Sequence, residues 1–247
     1  MGHVDADVTE SVAGSPKSRR DRLTALMGAL QPIARICAAD DPAAMLLLRP
    51  GRLVLRLRPG PVIGETAAFA VRFDCAIPLH EALHGAPDTI VMKTEDSPGL
   101  KQLAEVLLDE AGAGRCGSAD AVARLSEALL VMILRRAIDS ASRDHGVLAG
   151  LSHPRLHHAI VAIHASPGAA WSIESLADLA GMSRSRFMAA FGDVIGLSPL
   201  AYVTRWRMEL ARAALDRGAH PREVARQVGY GSPPALRRAM RRHGATP

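Results

Sequence analysis

Leu176-Ala177-Asp178-Leu179-Ala180-Gly181-Met182-Ser183 returns further along the chain as Val224-Ala225-Arg226-Gln227-Val228-Gly229-Tyr230-Gly231-Ser232, at a fixed offset with Gly231 inserted. Beyond the two stretches the match continues, with Phe187 falling on Leu236 and Phe191 on Met240. In the first copy Leu176, Leu179 and Ala180 lie on one helical face. Gly181 permits a tight turn, and Ser183 is placed to cap a second helix that carries Phe187, Ala190, Phe191 and Val194. The second copy opens at His220 with Pro221 as first helical residue and uses Val224, Ala225 and Val228. It turns at Gly229 and restarts at Ser232-Pro233 with Leu236 and Met240 inward. Each copy therefore reads as two short helices about a glycine turn, and the chain holds two such units.

Between the copies, Ser198 reads as an N-cap and Pro199 as the first residue of a helix that runs to Arg217 and stops at Gly218. Its apolar face is Tyr202, Val203, Trp206, Leu210, Ala213 and Ala214. About 19 residues at roughly 1.5 Å each give a spacer of about 28 Å. With a copy packed at each end, the two second helices come to lie about 34 Å apart, one turn of DNA. Charge points the same way. Residues 1–150 carry 17 Lys+Arg and 19 Asp+Glu, whereas residues 151–247 carry 13 and 6. All 13 cations of the second part are Arg, and ten lie between Arg205 and Arg242, a composition suited to planar, bidentate contact with phosphate. Two helix-turn-helix units, a rigid spacer and this excess together imply double-stranded DNA as partner.

These residues carry a family resemblance. From Trp171 to Pro247 the chain resembles the DNA-binding domain of the AraC/XylS transcription regulators of bacteria. Leu176-Ala-x-x-Ala180-Gly181-Met182-Ser183-x-Ser185-x-Phe187 resembles the first motif of that family. Phe191 followed by Gly196-x-Ser198-Pro199-x-x-Tyr202 and Arg205-x-Arg207-Met208 resembles the approach to its linker helix, and Ala225-x-x-Val228-Gly229-Tyr230-x-Ser232 its second motif. The resemblance implies a sequence-specific DNA-binding protein that controls transcription initiation, with RNA polymerase as a further partner. The implied DNA-facing residues are Ser183, Arg184, Ser185, Arg186, Met188 and Ala189 in the first copy. In the second they are Ser232, Pro233, Pro234, Ala235, Arg237, Arg238, Arg241 and Arg242. Ser185, Met188 and Ala189 offer one hydroxyl and apolar contact to bases, Arg184 and Arg186 suit phosphates, and Arg237 or Arg238 suits guanine. The sequence departs from the family where Ala189, Ala190 and Gly192 replace basic residues, and where Leu236 and Met240 replace aromatic ones. It also lacks the usual Phe before Gly244, so a looser second unit is expected.

The first 150 residues mix strand and helix signals, so the fold class is α+β. Met45–Leu48, Leu53–Leu57 and Thr66–Phe73 read as strands between Pro50-Gly51 and Pro59-Gly60-Pro61 turns. Helical periodicity follows over Ser97–Glu110 and Ala119–Ser140, the latter with Val122, Leu125, Leu129, Met132 and Ile133 in one stripe. The region resembles the cupin-like effector domains that precede this DNA-binding domain. With about three strands it is expected to be a partial β-barrel, with a small-molecule effector site in question and the 119–140 helix as a homodimer surface. The expected division is a polar tail at 1–22, a regulatory domain at 23–141, a linker at 142–153 and the DNA-binding domain at 154–247.

His80-Glu81-Ala82-Leu83-His84 fits the H-E-x-x-H pattern of zinc hydrolases, with Glu105 or Glu110 as a third ligand. It lies between Pro78 and Gly85, which leaves under two helical turns, so no catalytic or metal residue is assigned. His153, His157, His158 and His164 gather on a helix expected to be a solvated linker. Cys116 beside Arg115 has the setting of a reactive thiol but is read as passive. No phosphate loop, nucleophile elbow or dinucleotide fingerprint occurs, so no cofactor is expected and the chain is not read as an enzyme. The most apolar run, Ala128–Leu134, is short, residues 1–22 have no apolar signal segment, and three scattered cysteines suit a reducing compartment. The expected location is the cytoplasm. The remaining alternative is a degenerate regulator that acts through a partner.

Overall fold

The computed structural model describes residues 21–62, 67–141 and 145–244. Helix α1 (Thr24–Leu30) leads into strands β1 (Ile33–Cys37), β2 (Leu46–Arg49), β3 (Arg52–Arg56) and β4 (Phe69–Asp74), a one-turn helix α2 (Leu79–Ala82) and strand β5 (Thr89–Lys93). Helices α3 (Pro98–Ala113) and α4 (Ser118–Ser140) follow, then α5 (Val147–Ser152), α6 (Leu156–Ala165), α7 (Ile173–Leu179), α8 (Arg184–Ile195), α9 (Pro199–Asp216), α10 (Pro221–Gln227) and α11 (Pro233–Gly244). Of the expected tail, residues 1–20 lie outside the described part. Asp21 instead accepts hydrogen bonds from the Leu23 and Thr24 amides and starts α1.

The five strands form one antiparallel sheet in the order β1-β4-β2-β3-β5. Among the described residues there are thus two strands more than the three or so expected. β1 and β5 are the edge strands, and each shows water large apolar side chains, Ile33 and Ile36 on one and Val91 on the other. This weakens the alternation by which a half-buried strand is read. The central strands Leu46–Leu48 and Leu53–Leu55 are apolar throughout because both sheet faces are covered. Leu46, Leu48, Leu53, Leu55, Val71 and Phe73 face the main core, while Leu47, Val54 and Ala70 join Ala44 and Ala67 in a small cluster behind. The sheet is cupin-like and, among the described residues, open.

Helices α3 and α4 form an antiparallel pair against the main-core face. Val122, Leu129, Leu130, Ile133 and Leu134 of α4 are fully buried in the chain's own core. Of the stripe read from the sequence, Val122, Leu129 and Ile133 thus pack inward, while Leu125 and Met132 are half-buried.

The same core runs without a break past residue 150. It takes in α5, α6 and α7, Phe187 and Phe191 of α8, and Tyr202, Val203 and Trp206 of α9. Part of this continuity is main chain against main chain. The Gly146 amide donates to the Val194 carbonyl at 2.7 Å, and the Val147 amide to the His84 carbonyl at 2.9 Å. Gly146 has φ +90, and a Cβ there would stand 2.4 Å from the His84 oxygen, so only glycine fits. In the expected linker, residues 142–144 lie outside the described part, and 147–152 form the buried helix α5 against α8.

His157 and His164 are buried, so α6 is a core helix and not the solvated one expected. His164 Nε2 lies 2.6 Å from the Tyr202 hydroxyl, and its ring stacks on Trp206 at 4.2 Å. Complete burial pushes its pKa down to about 3 and that of Tyr202 up.

Two measurements test this packing. Phe187→Ala removes a ring that touches Phe191 at 5.4 Å between centroids. Urea unfolding is expected to show a loss of about 3–5 kcal/mol. His164 is neutral when folded and titrates near 6.5 when unfolded, so the unfolded state binds the extra proton below that pH. Stability then falls as pH drops from 6.5 toward 3, by up to about 1.4 kcal/mol per pH unit from this residue. His164→Phe should flatten that part of the profile.

Candidate nucleic-acid interface

The repeat seen in the sequence is reproduced atom for atom at the turns. In the first unit Met182 N donates to Ala177 O at 3.0 Å, and in the second Tyr230 N donates to Ala225 O at 2.7 Å. Both bonds close a helix end whose next residue is glycine in the left-handed region, Gly181 at φ 61 and Gly229 at φ 79. The new helices start as the sequence implies. Ser232 Oγ accepts from Ala235 N at 3.4 Å, and Ser198 Oγ from Ala201 N at 3.4 Å. His220 Nδ1 accepts from Arg222 N ahead of α10. Ser183 occupies the N-cap of α8 with no side-chain bond, which leaves its hydroxyl free for another acceptor.

Within α8, Phe187, Phe191 and Ile195 are buried, and this turns Arg184, Ser185, Arg186, Met188 and Ala189 outward. Met188 is 41% exposed. Arg184 reaches Glu174 at 3.0 Å, an ion pair in full solvent that binding can exchange at little cost. In α11, Leu236 and Ala239 are buried, and Arg237, Arg238, Arg241 and Arg242 project to water. Pro234 at its start is exposed, while Ser232, Pro233 and Ala235 are half-buried. A cleft of about 790 Å³ opens beside this start, lined by His220, Arg222, Arg226 and Tyr230. Arg217, Arg222 and Arg226 are exposed as well, and sequence reasoning had not singled them out.

The ten arginines from Arg205 to Arg242 divide by role. Three of them are held by partners within the protein. Arg205 bonds Glu81 at 3.0 Å, Arg207 bonds the carbonyls of Pro167 and Ala169 at 2.7 Å each, and Arg212 pairs with Glu209 at 3.3 Å. The other seven are exposed.

Helix α9 joins the units. At 18 residues it is about 27 Å long. Tyr202, Val203 and Trp206 enter the main core, and Met208 and Ala211 enter a second one with Val224, Ala225, Val228, Leu236 and Ala239. That second core has no fully buried ring; Tyr230 packs at its margin. The first unit, by contrast, buries Phe187, Phe191, Tyr202 and Trp206.

The H-E-x-x-H stretch does different work. α2 ends at Ala82, so His84 lies beyond the helix and not one turn along it. Glu81 is held by Arg205 of α9 and lies 3.6 Å from His80 Nε2. Burial raises the pKa of the neighbouring Glu209, and Glu81 adds to the rise. These groups line a cavity of about 680 Å³ between α2 and α9. Among the described residues no three His, Cys, Asp or Glu are grouped to hold a metal ion. Arg115 is directed at Asp109 and Glu110. The Cys75 thiol is pushed up to about 12 by burial, which leaves it unreactive.

A family of helix-turn-helix domains matches residues 176–247, and a cupin family matches residues 35–139. A putative AraC-like transcription regulator of Streptomyces lividans is 41% identical over 120 residues, 48% of this chain and 40% of that protein. An uncharacterized HTH-type transcriptional regulator of Haemophilus influenzae is 35% identical over 147 residues, 59% of this chain and 49% of that protein. The RCS-specific HTH-type transcriptional activator RclR of Escherichia coli is 33% identical over 150 residues, 60% of this chain and 53% of that protein.

Over about half its length the chain is similar to proteins named as AraC-like transcription regulators.

It spans about half the length of the curated relatives it matches. The shared turn geometry and the buried spacer give the second half of the chain two units of one design. No single helix among the described residues is long and apolar enough to cross a membrane.

Proposed function

We propose that this chain is a sequence-specific DNA-binding protein that regulates transcription initiation, working at the chromosome in the bacterial cytoplasm. The observation that carries the reading is the pair of outward faces. Two helices of one repeat, α8 and α11, each bury one side and turn the other to water, and one continuous helix joins them. Such a pair suits successive major grooves read from one side of the duplex.

The two faces imply unequal roles. α8 offers Ser185, Met188 and Ala189 to base edges, which favours thymine methyls and one hydroxyl contact, with Arg184 and Arg186 on phosphates. α11 offers four arginines, of which Arg237 and Arg238 are the guanine readers and Arg241 and Arg242 the phosphate contacts. Ser232, Pro233, Pro234 and Ala235 lead that helix toward the groove. RNA polymerase is the further partner that control of initiation requires. A second copy of the chain is the other partner, met through the side of the 119–140 helix that carries the exposed Ala128, Arg135 and Arg136. Regulation belongs to the cupin-like region, residues 23–141, with 154–247 as the DNA-binding domain and 142–153 as the link between them. The alternative of zinc hydrolysis has no support in the placement of Glu81, whose carboxylate faces Arg205.

Selection from a random duplex pool at two salt concentrations tests the reading. Enrichment of a site with two short boxes about one helical turn apart is expected. Retention of DNA with no enriched sequence would overturn it. On the selected site, Arg238→Ala is expected to cost about 1–3 kcal/mol and to relax preference at one base position. Arg242→Ala should instead weaken all sequences alike and reduce the salt slope by about one.

A further inference from the structure

We propose that Arg207 fixes the spacing at which the two recognition helices meet DNA, by clamping the second helix-turn-helix onto the loop that opens the first; this rests on the DNA-binding reading above. Arg207 lies mid-way along α9, and its side chain turns away from the exposed arginine face. Nε donates to the Pro167 carbonyl and Nη2 to the Ala169 carbonyl, both at 2.7 Å. These two carbonyls bracket Gly168 in the loop between α6 and α7. Burial lowers the guanidinium's pKa from its usual value, yet an arginine stays charged, so both bonds are charge-assisted.

Gly168 is also where the two units touch. A Cβ on Gly168 would stand 2.6 Å from the Gln227 carbonyl oxygen, and one on Gly229 would stand 2.7 Å from the Gly168 oxygen and 3.2 Å from Arg207 Nη2. The loop of the first unit and the turn of the second therefore meet backbone to backbone, with the guanidinium of the linker helix beside the contact. The first unit's equivalent glycine, Gly181, has open space where its Cβ would be. Its role ends at the turn, whereas Gly229 serves the turn and the contact.

The contact matters because of how the second unit is otherwise held. Helices α10 and α11 pack chiefly on each other and on α9, around a small core with no fully buried ring. Attachment to one helix leaves rotation about that helix weakly opposed. Anchoring the turn to Pro167-Gly168-Ala169 adds a second point of attachment away from the axis. Successive base pairs differ by about 3.4 Å along the duplex, so a rotation of a few ångströms at α11 is enough to move it one step. A planar two-point fork onto fixed carbonyls restrains that motion, and a lysine in its place makes one flexible contact.

The test uses the full chain and the site obtained by selection. Duplexes carry the two boxes at the selected interval, at intervals longer or shorter by one or two base pairs, or the first box alone. Affinities are read by fluorescence anisotropy at one salt concentration, beside thermal melts. The wild type should prefer one interval by roughly tenfold or more over its neighbours. Arg207→Lys and Arg207→Gln should bind the single box as the wild type does and lose most of that preference. Gly229→Ala, which wedges the contact apart by another route, should also flatten the profile, and Gly181→Ala should not. Unchanged interval preference in the folded Arg207 variants overturns the proposal, as does parallel loss of single-box and two-box binding, which marks a role in folding alone. If the wild type shows no sequence preference at all, the DNA-binding reading fails and the clamp with it.

Discussion

Helix α9 is buried from two sides, and the arrangement of the second half of the chain depends on it. Tyr202, Val203 and Trp206 are immersed in the core that continues into the sheet, while Met208 and Ala211 seed the core of the second helix-turn-helix. A helix held this way cannot shift along its axis without opening one core or the other. Ser198 and Pro199 define where it begins, and its length then sets the scale of the separation between α8 and α11.

The two cores are of different quality, and that difference assigns different tasks to the two units. The first has stacked and tilted rings, among them His164 against Trp206 and Phe187 against Phe191. It is joined to the cupin-like region by the Val147 bond to the His84 carbonyl, while Gly146 beside it bonds Val194 of α8. The second is small and aliphatic, but it presents the larger share of exposed cationic charge. The first unit is thus the part mechanically joined to the cupin-like region, and the second the part with the stronger positive field at its surface.

Contact between the regions has a second, polar component. Glu81, Arg205, Glu209 and Arg212 gather where α2 meets α9. The stretch that reads as a metal motif therefore has its carboxylate in an ion pair between regions. Three residue types at the right spacing are not enough to make a zinc site. The ligands must also converge, and a helix that ends at Ala82 does not bring His84 under His80.

Both helix-turn-helix units, their turns and the linker helix were legible in the sequence, because each is set by local rules: apolar residues at helical spacing, serine or proline at starts, glycine where φ must be positive. The α+β class and the central strands were legible for the same reason. What the sequence concealed depends on partners distant along the chain. β1 and β5 show water their apolar residues, so alternation did not mark them. α6 carries four histidines in or beside it and reads as polar, yet Tyr202 and Trp206, far along the chain, make its His164 a core residue. The stripe of α4 announces that it packs against something, but not that the partner is its own sheet. The arginines are the clearest case. Ten look equivalent in composition, and only the tertiary structure divides them, because whether a guanidinium faces a carbonyl, a carboxylate or open solvent is decided by what the fold sets beside it.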